Sequence, residues 1–183
     1  DQWGSFCRLG AVVFGRSIMY LGLNTFIVLY FMNHFHESQN FSNLLLSVYY
    51  GIGALFTLIG GKLGDKHGYR TFVRFGFLLA FPAALILAWT DSSILGILCL
   101  IVLGAALNLT YSPMVVLGQQ YLPNRVGLAS GITLGLAVSV GGITAPLLGK
   151  VGDMYGLETT FYVIALITLI PLISSFTLPK PKK

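Results

Sequence analysis

One arginine within a long apolar stretch is the residue of this sequence best suited to bind a ligand. Arg16, Tyr20 and Asn24 are spaced i, i+4, i+8, so a helix would place them on one face. If the stretch crosses a membrane, the guanidinium costs at least about 2.5–3.5 kcal/mol to insert, and such residues usually face an aqueous cavity. The spacing predicts that Arg16 binds an anionic substrate group or pairs with a carboxylate. The alternative is that it reaches back to lipid phosphates.

A second polar face lies in the passage "NLTYSP". Asn108, Tyr111 and Ser112 are spaced i, i+3, i+4, and Pro113 removes a backbone donor and frees the carbonyl of Leu109. A kinked helix with a polar face is typical of a gated cavity, which makes Asn108 and Tyr111 candidates for contact with a substrate. The alternative is that the polar residues only hydrogen-bond one helix to another.

Other chemistries find little support in the residue types and their spacing. His34 and His36 lie beside the acidic Glu37, but no further ligand follows at metal-binding spacing. Cys7 and Cys99 are far apart and have no such spacing either. No Ser/His/Asp set shares a face, and there is no His-Glu-x-x-His motif and no phosphate loop. We therefore predict no enzyme, no metal and no cofactor.

The amino-acid composition indicates the environment that surrounds these residues. Hydrophobic residues make up 55% of the chain and charged residues 9%, with a mean hydropathy of +0.81. Soluble domains carry about 25% charged residues, so an integral membrane protein is predicted. The apolar runs are continuous rather than alternating, which favours helices over a barrel. Six spans of about 20 residues are expected: 10–33, 42–61, 70–90, 94–117, 126–148 and 159–178.

The basic residues indicate how the spans are oriented. If the spans alternate, nine of the eleven Lys and Arg residues fall on one side. These are Arg8, Lys62, Lys66, Arg70, Arg74, Arg125, Lys180, Lys182 and Lys183. By the positive-inside rule both termini are cytoplasmic, and we expect the inner membrane of a bacterium. The chain has a net charge of +5. Because the basic residues lie next to the predicted spans, we expect them to face a lipid bilayer rather than a nucleic acid.

The chain contains an internal repeat. "GKLGDKHGYRTF" (61–72) returns 88 residues later as "GKVGDMYGLETTF" (149–161). Each copy follows the second span of a three-span unit, with units of about 1–92 and 93–183. Because three is odd, the second unit enters the membrane from the opposite face, which predicts an inverted repeat of the kind found in secondary transporters.

The glycines around the repeat suggest tight packing and a hinge. Gly60, Gly61 and Gly64 would let a helix end and let neighbouring backbones approach closely. Asp65 could accept backbone N–H bonds at a helix start. Arg70 and Arg74 are expected to snorkel to lipid headgroups.

The fifth span carries a regular row of glycines. Gly127, Gly131 and Gly135 recur every four residues, which gives two consecutive G-x-x-x-G steps. This pattern predicts a packing helix that slides or rocks against a partner.

The loop motif resembles a known signature. "GKLGDKHGYR", with Gly61, Gly64, Asp65, Gly68 and Arg70, is similar to the G-x-L-A-D-x-x-G-R-R signature of the major facilitator superfamily, which lies between helices 2 and 3 and often recurs between helices 8 and 9. A complete member has twelve helices, so this chain resembles the C-terminal half, helices 7–12. "FGRSIMYLGLNTFIVLYF" (14–31) and "LGQQYLPNRVGLASGITLGLAVSVGG" (117–142) resemble the fosmidomycin-resistance-like branch.

The resemblance implies a mechanism and a partner. Asp65 would act as a latch by meeting a helix start in an N-terminal six-helix half, and Gly64 and Tyr69 depart from the signature only mildly. The implied activity is alternating-access transport, namely proton-coupled efflux of a drug-like or anionic small molecule. The alternative is a self-contained six-helix protein that acts as a homodimeric carrier or channel. No acidic residue lies in mid-span, so a proton carrier is expected in the other half unless Asp153 is buried.

Overall fold

In the computed structural model, which describes residues 1–181, the chain forms a bundle of six helices long and apolar enough to cross a membrane. Lys182 and Lys183 of the basic tail lie outside the described residues. Because two of these six spans are interrupted, they comprise eight α-helices in the described residues. These are α1 (Trp3–Asn33), α2 (Gln39–His67), α3 (Tyr69–Trp89), α4 (Ser93–Leu109), α5 (Tyr111–Tyr121), α6 (Val126–Tyr155), α7 (Leu157–Ile167) and α8 (Leu169–Phe176). The all-helical fold is confirmed, and a helix is the structure that satisfies every backbone polar group of an apolar segment within lipid.

Two of the six spans are broken in the middle. Span four consists of α4 and α5 with Thr110 between them, and span six consists of α7 and α8 with Thr168 between them. In both spans a proline follows three residues after the threonine, Pro113 in the first and Pro171 in the second. Proline has no N–H and its ring crowds the carbonyl four residues earlier, which weakens the helix at both interruptions.

The repeated motif forms two matching corners. The first corner turns from α2 into α3 at Gly68, and the second turns from α6 into α7 at Gly156. Both glycines have φ of +92°. Only glycine adopts this conformation at little cost, which explains why the motif has glycine at both positions.

The two corners lie at opposite ends of the bundle. Beside the first corner, Arg70 Nη1 donates to the carbonyl of Leu178 near the C-terminus, at 3.1 Å. Beside the second corner, the Glu158 Oε1 atom lies 2.8 Å from Nδ1 of His34, just after α1. An inverted pair of three-helix units predicts this placement, because each unit then presents its corner to a different membrane face. The exact unit boundaries, near residues 92 and 93, stay a prediction.

The core of the bundle surrounds α1. The ring of Tyr30 on α1 stacks on Phe161 with centroids 3.9 Å apart, and its hydroxyl donates to the carbonyl of Leu87 at the end of α3. Gly22 on α1 packs so closely that a Cβ there would lie 2.9 Å from Leu148 of α6. In contrast, α2 and α6 are the two least buried spans, so they flank an open side of the bundle.

One sequence-based expectation about the corners is wrong. Asp65 does not begin a helix, because α2 continues to His67 and carries Asp65 in its last turn. Arg70 and Arg74 both donate to carbonyls at the end of the last span, and their contact with lipid headgroups stays a prediction. Arg74 Nε donates to the carbonyl of Ser175 at 3.0 Å, since the last carbonyls of a helix lack partners within it.

The described residues 1–181 supply no partner for the glycine row of the fifth span, so its packing role stays a prediction. A Cβ placed on Gly127, Gly131 or Gly135 would meet no atom within 4 Å. These glycines lie on the open side of α6, where the described residues 1–181 supply no neighbouring helix.

Candidate functional site

A cavity of about 440 Å³ lies at the open side of the bundle. It is lined by Arg16, Tyr20, Leu21, Tyr50, Gly53, Ala54, Thr57, Asn108, Tyr111, Ala137 and Val138. These residues come from α1, α2, α4, α5 and α6. Tyr50 and Val138 are 47% and 73% exposed, so the cavity opens between α2 and α6.

Arg16 is the charged residue of this cavity. Its side chain is 3% exposed, and its Nε donates to the carbonyl of Leu107 at 2.9 Å. The guanidinium carbon lies 5.0 Å from the ring centroid of Tyr20 and 4.9 Å from that of Tyr111. Arg16 is therefore turned into the bundle, and the alternative in which it reaches the membrane surface does not hold.

The positive charge of Arg16 has no carboxylate beside it. The lining contains no Asp or Glu, and Arg16 forms no salt bridge within the described residues 1–181. The two tyrosine rings stabilise the cation through their π faces, an interaction of about 2 kcal/mol when water is excluded. A guanidinium in this state is suited to bind an anion, because its remaining N–H donors match a carboxylate or phosphate group.

Four of the five residues predicted from the two polar faces meet at this cavity. Arg16 and Tyr20 line it from α1, and Asn108 and Tyr111 line it from either side of the break in span four. Asn24 does not line it, and its Oδ1 atom is buried without a hydrogen-bond partner in the described part of the chain.

The contribution of α2 to the cavity was not predicted from the sequence. Tyr50, Gly53, Ala54 and Thr57 line the cavity and are spaced i, i+3, i+4, i+7, the signature of one helix face. A Cβ on Gly53 would lie 2.6 Å from the Asn108 amide nitrogen, so only glycine leaves room for that side chain. This helical spacing is visible in the sequence. It did not indicate a binding face, because most of these residues are small or aromatic rather than polar.

The residues of the loop motif surround the first corner. The hydroxyl of Tyr69 donates to the carboxylate of exposed Asp65. Gly61 and Gly64 lie inside α2, where a Cβ would stand 3.0 Å from Ser112 Oγ and 2.5 Å from the Tyr69 ring, respectively. The motif therefore packs the end of α2 tightly against its neighbours and leaves one carboxylate at the surface.

Two sites outside the cavity, at His34 and at Asp153, were considered in the sequence for metal binding and for proton transfer. His34 contacts Glu158 and the carbonyl of Thr90, and no group of three potential metal ligands occurs among the described residues. Asp153, the counterpart of Asp65 in the second corner, is exposed.

Comparison with known proteins identifies the class of protein. Residues 9–183 match the family model described as the Major Facilitator Superfamily. The chain belongs to this family of membrane transporters and is an integral membrane protein.

Two curated relatives of the chain are longer than it is. It is 32% identical over 162 residues to the "uncharacterized MFS-type transporter YfnC" of Bacillus subtilis (strain 168), covering 88% of this chain and 39% of that protein. It is 30% identical over 166 residues to the fosmidomycin resistance protein of Escherichia coli (strain K12), covering 90% of this chain and 40% of that protein. The chain thus spans about two fifths of the curated relatives it matches.

The solved structures agree on the fold. A crystal structure of the peptide transporter POT (E310Q mutant) in complex with alafosfalin superposes with a TM-score of 0.87 at 18% identity. The match covers 96% of this chain and 38% of that one. At this identity the likeness establishes the fold, a six-helix half of the transporter architecture.

Proposed function

We propose that this chain forms the C-terminal half of an alternating-access transporter that exports an anionic or drug-like small molecule. The observation that carries the proposal is the buried Arg16, which faces a cavity without a carboxylate at the open side of the bundle. A second six-helix half would cover this side and complete the binding site between the halves. The Escherichia coli relative is named a fosmidomycin resistance protein, which supports export of a drug.

Proton coupling is part of the same proposal. A proton-driven exchanger needs a titratable group that is shielded from water at one stage of its cycle. Among residues 1–181, no carboxylate or histidine lines the cavity, and Asp153 is exposed. We therefore assign the proton-carrying group to the other half of the transporter.

The loop motif completes the proposed cycle. Asp65 is exposed in the last turn of α2, where it accepts a hydrogen bond from Tyr69. A helix start in the other half would attract this carboxylate, because the N-terminus of a helix carries a partial positive charge. Asp65 would then hold the two halves together at the end of the bundle that bears both termini, which we propose is the cytoplasmic end.

The site is tested by substitution in the complete open reading frame that contains this chain. Fosmidomycin is the first probe, and resistance and efflux are measured in Escherichia coli that lacks its own fosmidomycin resistance protein. Arg16→Ala should abolish both, because the anion loses the cation that the described residues contribute to this cavity. Asn24→Ala is the matched control, since it belongs to the same polar face but lies outside the lining.

The amount of each variant in the membrane is checked by immunoblot. Full resistance in Arg16→Ala at normal membrane levels would remove Arg16 from the binding site. The mass of the purified complex separates the two assemblies, because a complex of two copies of this chain alone would support the homodimeric carrier or channel instead.

A further inference from the structure

A backbone carbonyl at the break in span four holds Arg16. The last carbonyls of a helix have no partner within that helix. The carbonyl of Leu107 is one of these, because α4 ends at Leu109. It accepts one hydrogen bond from Arg16 Nε at 2.9 Å and another from Thr110 Oγ1 at 2.8 Å. The break thus creates the acceptor to which the guanidinium is attached.

An unbroken helix would not offer this acceptor to Arg16. In a continuous α-helix the carbonyl of Leu107 would accept the backbone N–H of Tyr111. Pro113 opposes a continuous helix, since it cannot donate to the carbonyl of Leu109. Thr110 fills the remaining lone pair of the Leu107 carbonyl through its hydroxyl. Both residues therefore keep the Tyr111 N–H from displacing Arg16.

Packing from two neighbouring helices maintains the break. A Cβ on Gly60 of α2 would lie 2.2 Å from the carbonyl oxygen of Leu109. A Cβ on Gly76 of α3 would lie 2.2 Å from Cγ2 of Thr110. Both neighbours approach the interruption at the distance that only glycine permits, so the surrounding helices are shaped to the broken form of span four.

The attachment determines which part of Arg16 is free. Nε is bound to Leu107, and the guanidinium carbon lies over the rings of Tyr20 and Tyr111. Neither Nη atom donates to a protein group within residues 1–181. The Nη edge is the part of a guanidinium that forms paired hydrogen bonds with an anion.

We propose that Thr110 and Pro113 are positioning residues, which keep the Leu107 carbonyl available and so direct the Nη edge of Arg16 toward the substrate anion. Neither residue touches the substrate. Closing the break in span four would return the carbonyl to Tyr111 and release Arg16, so affinity for the anion depends on the interruption at Thr110. The inference rests on the proposed function for the nature of the ligand, but the hydrogen bond itself can be tested without any substrate.

The direct test measures exchange of the Arg16 Nε proton with water by NMR. The complete protein is labelled with ¹⁵N-arginine in lipid nanodiscs, and the Arg16 signal is assigned from its loss in Arg16→Lys. Pro113→Ala and Thr110→Val should accelerate the exchange about tenfold or more, because the proton loses its acceptor for part of the time. Thr110→Ser retains the hydroxyl and should restore the slow exchange.

Thr168→Val is the matched control. Thr168 is also fully buried at a helix break, and its Oγ1 donates to the carbonyl of Ile164 at 3.1 Å. Its replacement removes the same kind of hydrogen bond without affecting Leu107, so the Arg16 signal should not change. Unchanged exchange in Pro113→Ala and Thr110→Val, or an equal acceleration in Thr168→Val, overturns the inference. If Pro113→Ala does not reach the membrane, the comparison of Thr110→Val with Thr110→Ser tests the inference.

Transport kinetics give the second readout. With fosmidomycin as the probe, Thr110→Val should raise KM about tenfold and leave kcat nearly unchanged, because Arg16 is still present but poorly directed. Thr110→Ser should restore KM. A fall in kcat alone would contradict a positioning role. If Arg16→Ala transports normally, the proposed function fails, whereas the exchange experiment still decides whether the break positions Arg16.

Discussion

Single glycine residues decide how closely α2 approaches the broken span. Gly53 and Gly60 both lie where a Cβ would overlap atoms of α4, and at Gly60 the neighbour is the backbone carbonyl of Leu109. A backbone atom cannot rotate away as a side chain can. The close approach therefore depends on the missing side chain at Gly60.

Gly60→Ala should lower the free energy of unfolding by about 1–3 kcal/mol, the usual cost of overpacking. Gly51→Ala, on the same helix, is the control, because a Cβ there would meet no atom within 4 Å. That change should be neutral or stabilise the protein by up to about 1 kcal/mol, since alanine favours a helix over glycine. The midpoints of thermal unfolding in detergent are compared for the two variants. Equal midpoints would contradict the close contact at Gly60.

At the scale of helices, arginines from two spans hold the end of the last one. Arg74 on α3 donates to the carbonyls of Ser175 and Phe176 at 3.0 and 2.8 Å. Arg8 on α1 donates to the carbonyl of Thr177 at 3.1 Å. Cations at a helix C-terminus are favoured by its partial negative charge. The basic residues on this end thus have a structural role in addition to any role in membrane orientation.

The corner between α2 and α3 gives the prediction at this scale. Asp65→Asn removes the charge that we propose holds the two halves together, so it should lower the turnover rate and change KM little. Asp153→Asn is the matched control, because Asp153 occupies the same place in the second corner and is also exposed. Efflux kinetics in membrane vesicles measure both variants. Equal turnover in Asp65→Asn and the unsubstituted protein would contradict the latch.

The whole molecule is organised by its two opposed corners and by the open side between α2 and α6. Exposed apolar residues remain on both flanking helices, among them Leu55 and Leu58 on α2 and Val138 on α6. In a twelve-helix transporter this side would face the second half, and the row Gly127, Gly131 and Gly135 would then find the partner that the described residues do not supply.

The orientation of the molecule can be tested with a membrane-impermeant maleimide. Lys66→Cys and Met154→Cys place single thiols on the two exposed corners, in a background in which Cys7 and Cys99 are replaced by alanine. On intact cells the Met154→Cys variant should be labelled, and Lys66→Cys only after the cells are opened. Labelling of both thiols from the same side would contradict the inverted arrangement.

Patterns of charge and hydropathy were sufficient to predict the six spans, the glycine corners and the residues of α1 that meet at the cavity. Such patterns depend on local physics, because lipid demands continuous apolar helices and helical periodicity aligns residues four apart. Distances between spans are not encoded in any periodic pattern. The attachment of Arg16 to Leu107, the contribution of α2 to the cavity and the exposure of the glycine row on α6 therefore emerged only from the packed bundle. There, residues far apart in the chain compete for the same space and the same hydrogen-bond acceptors.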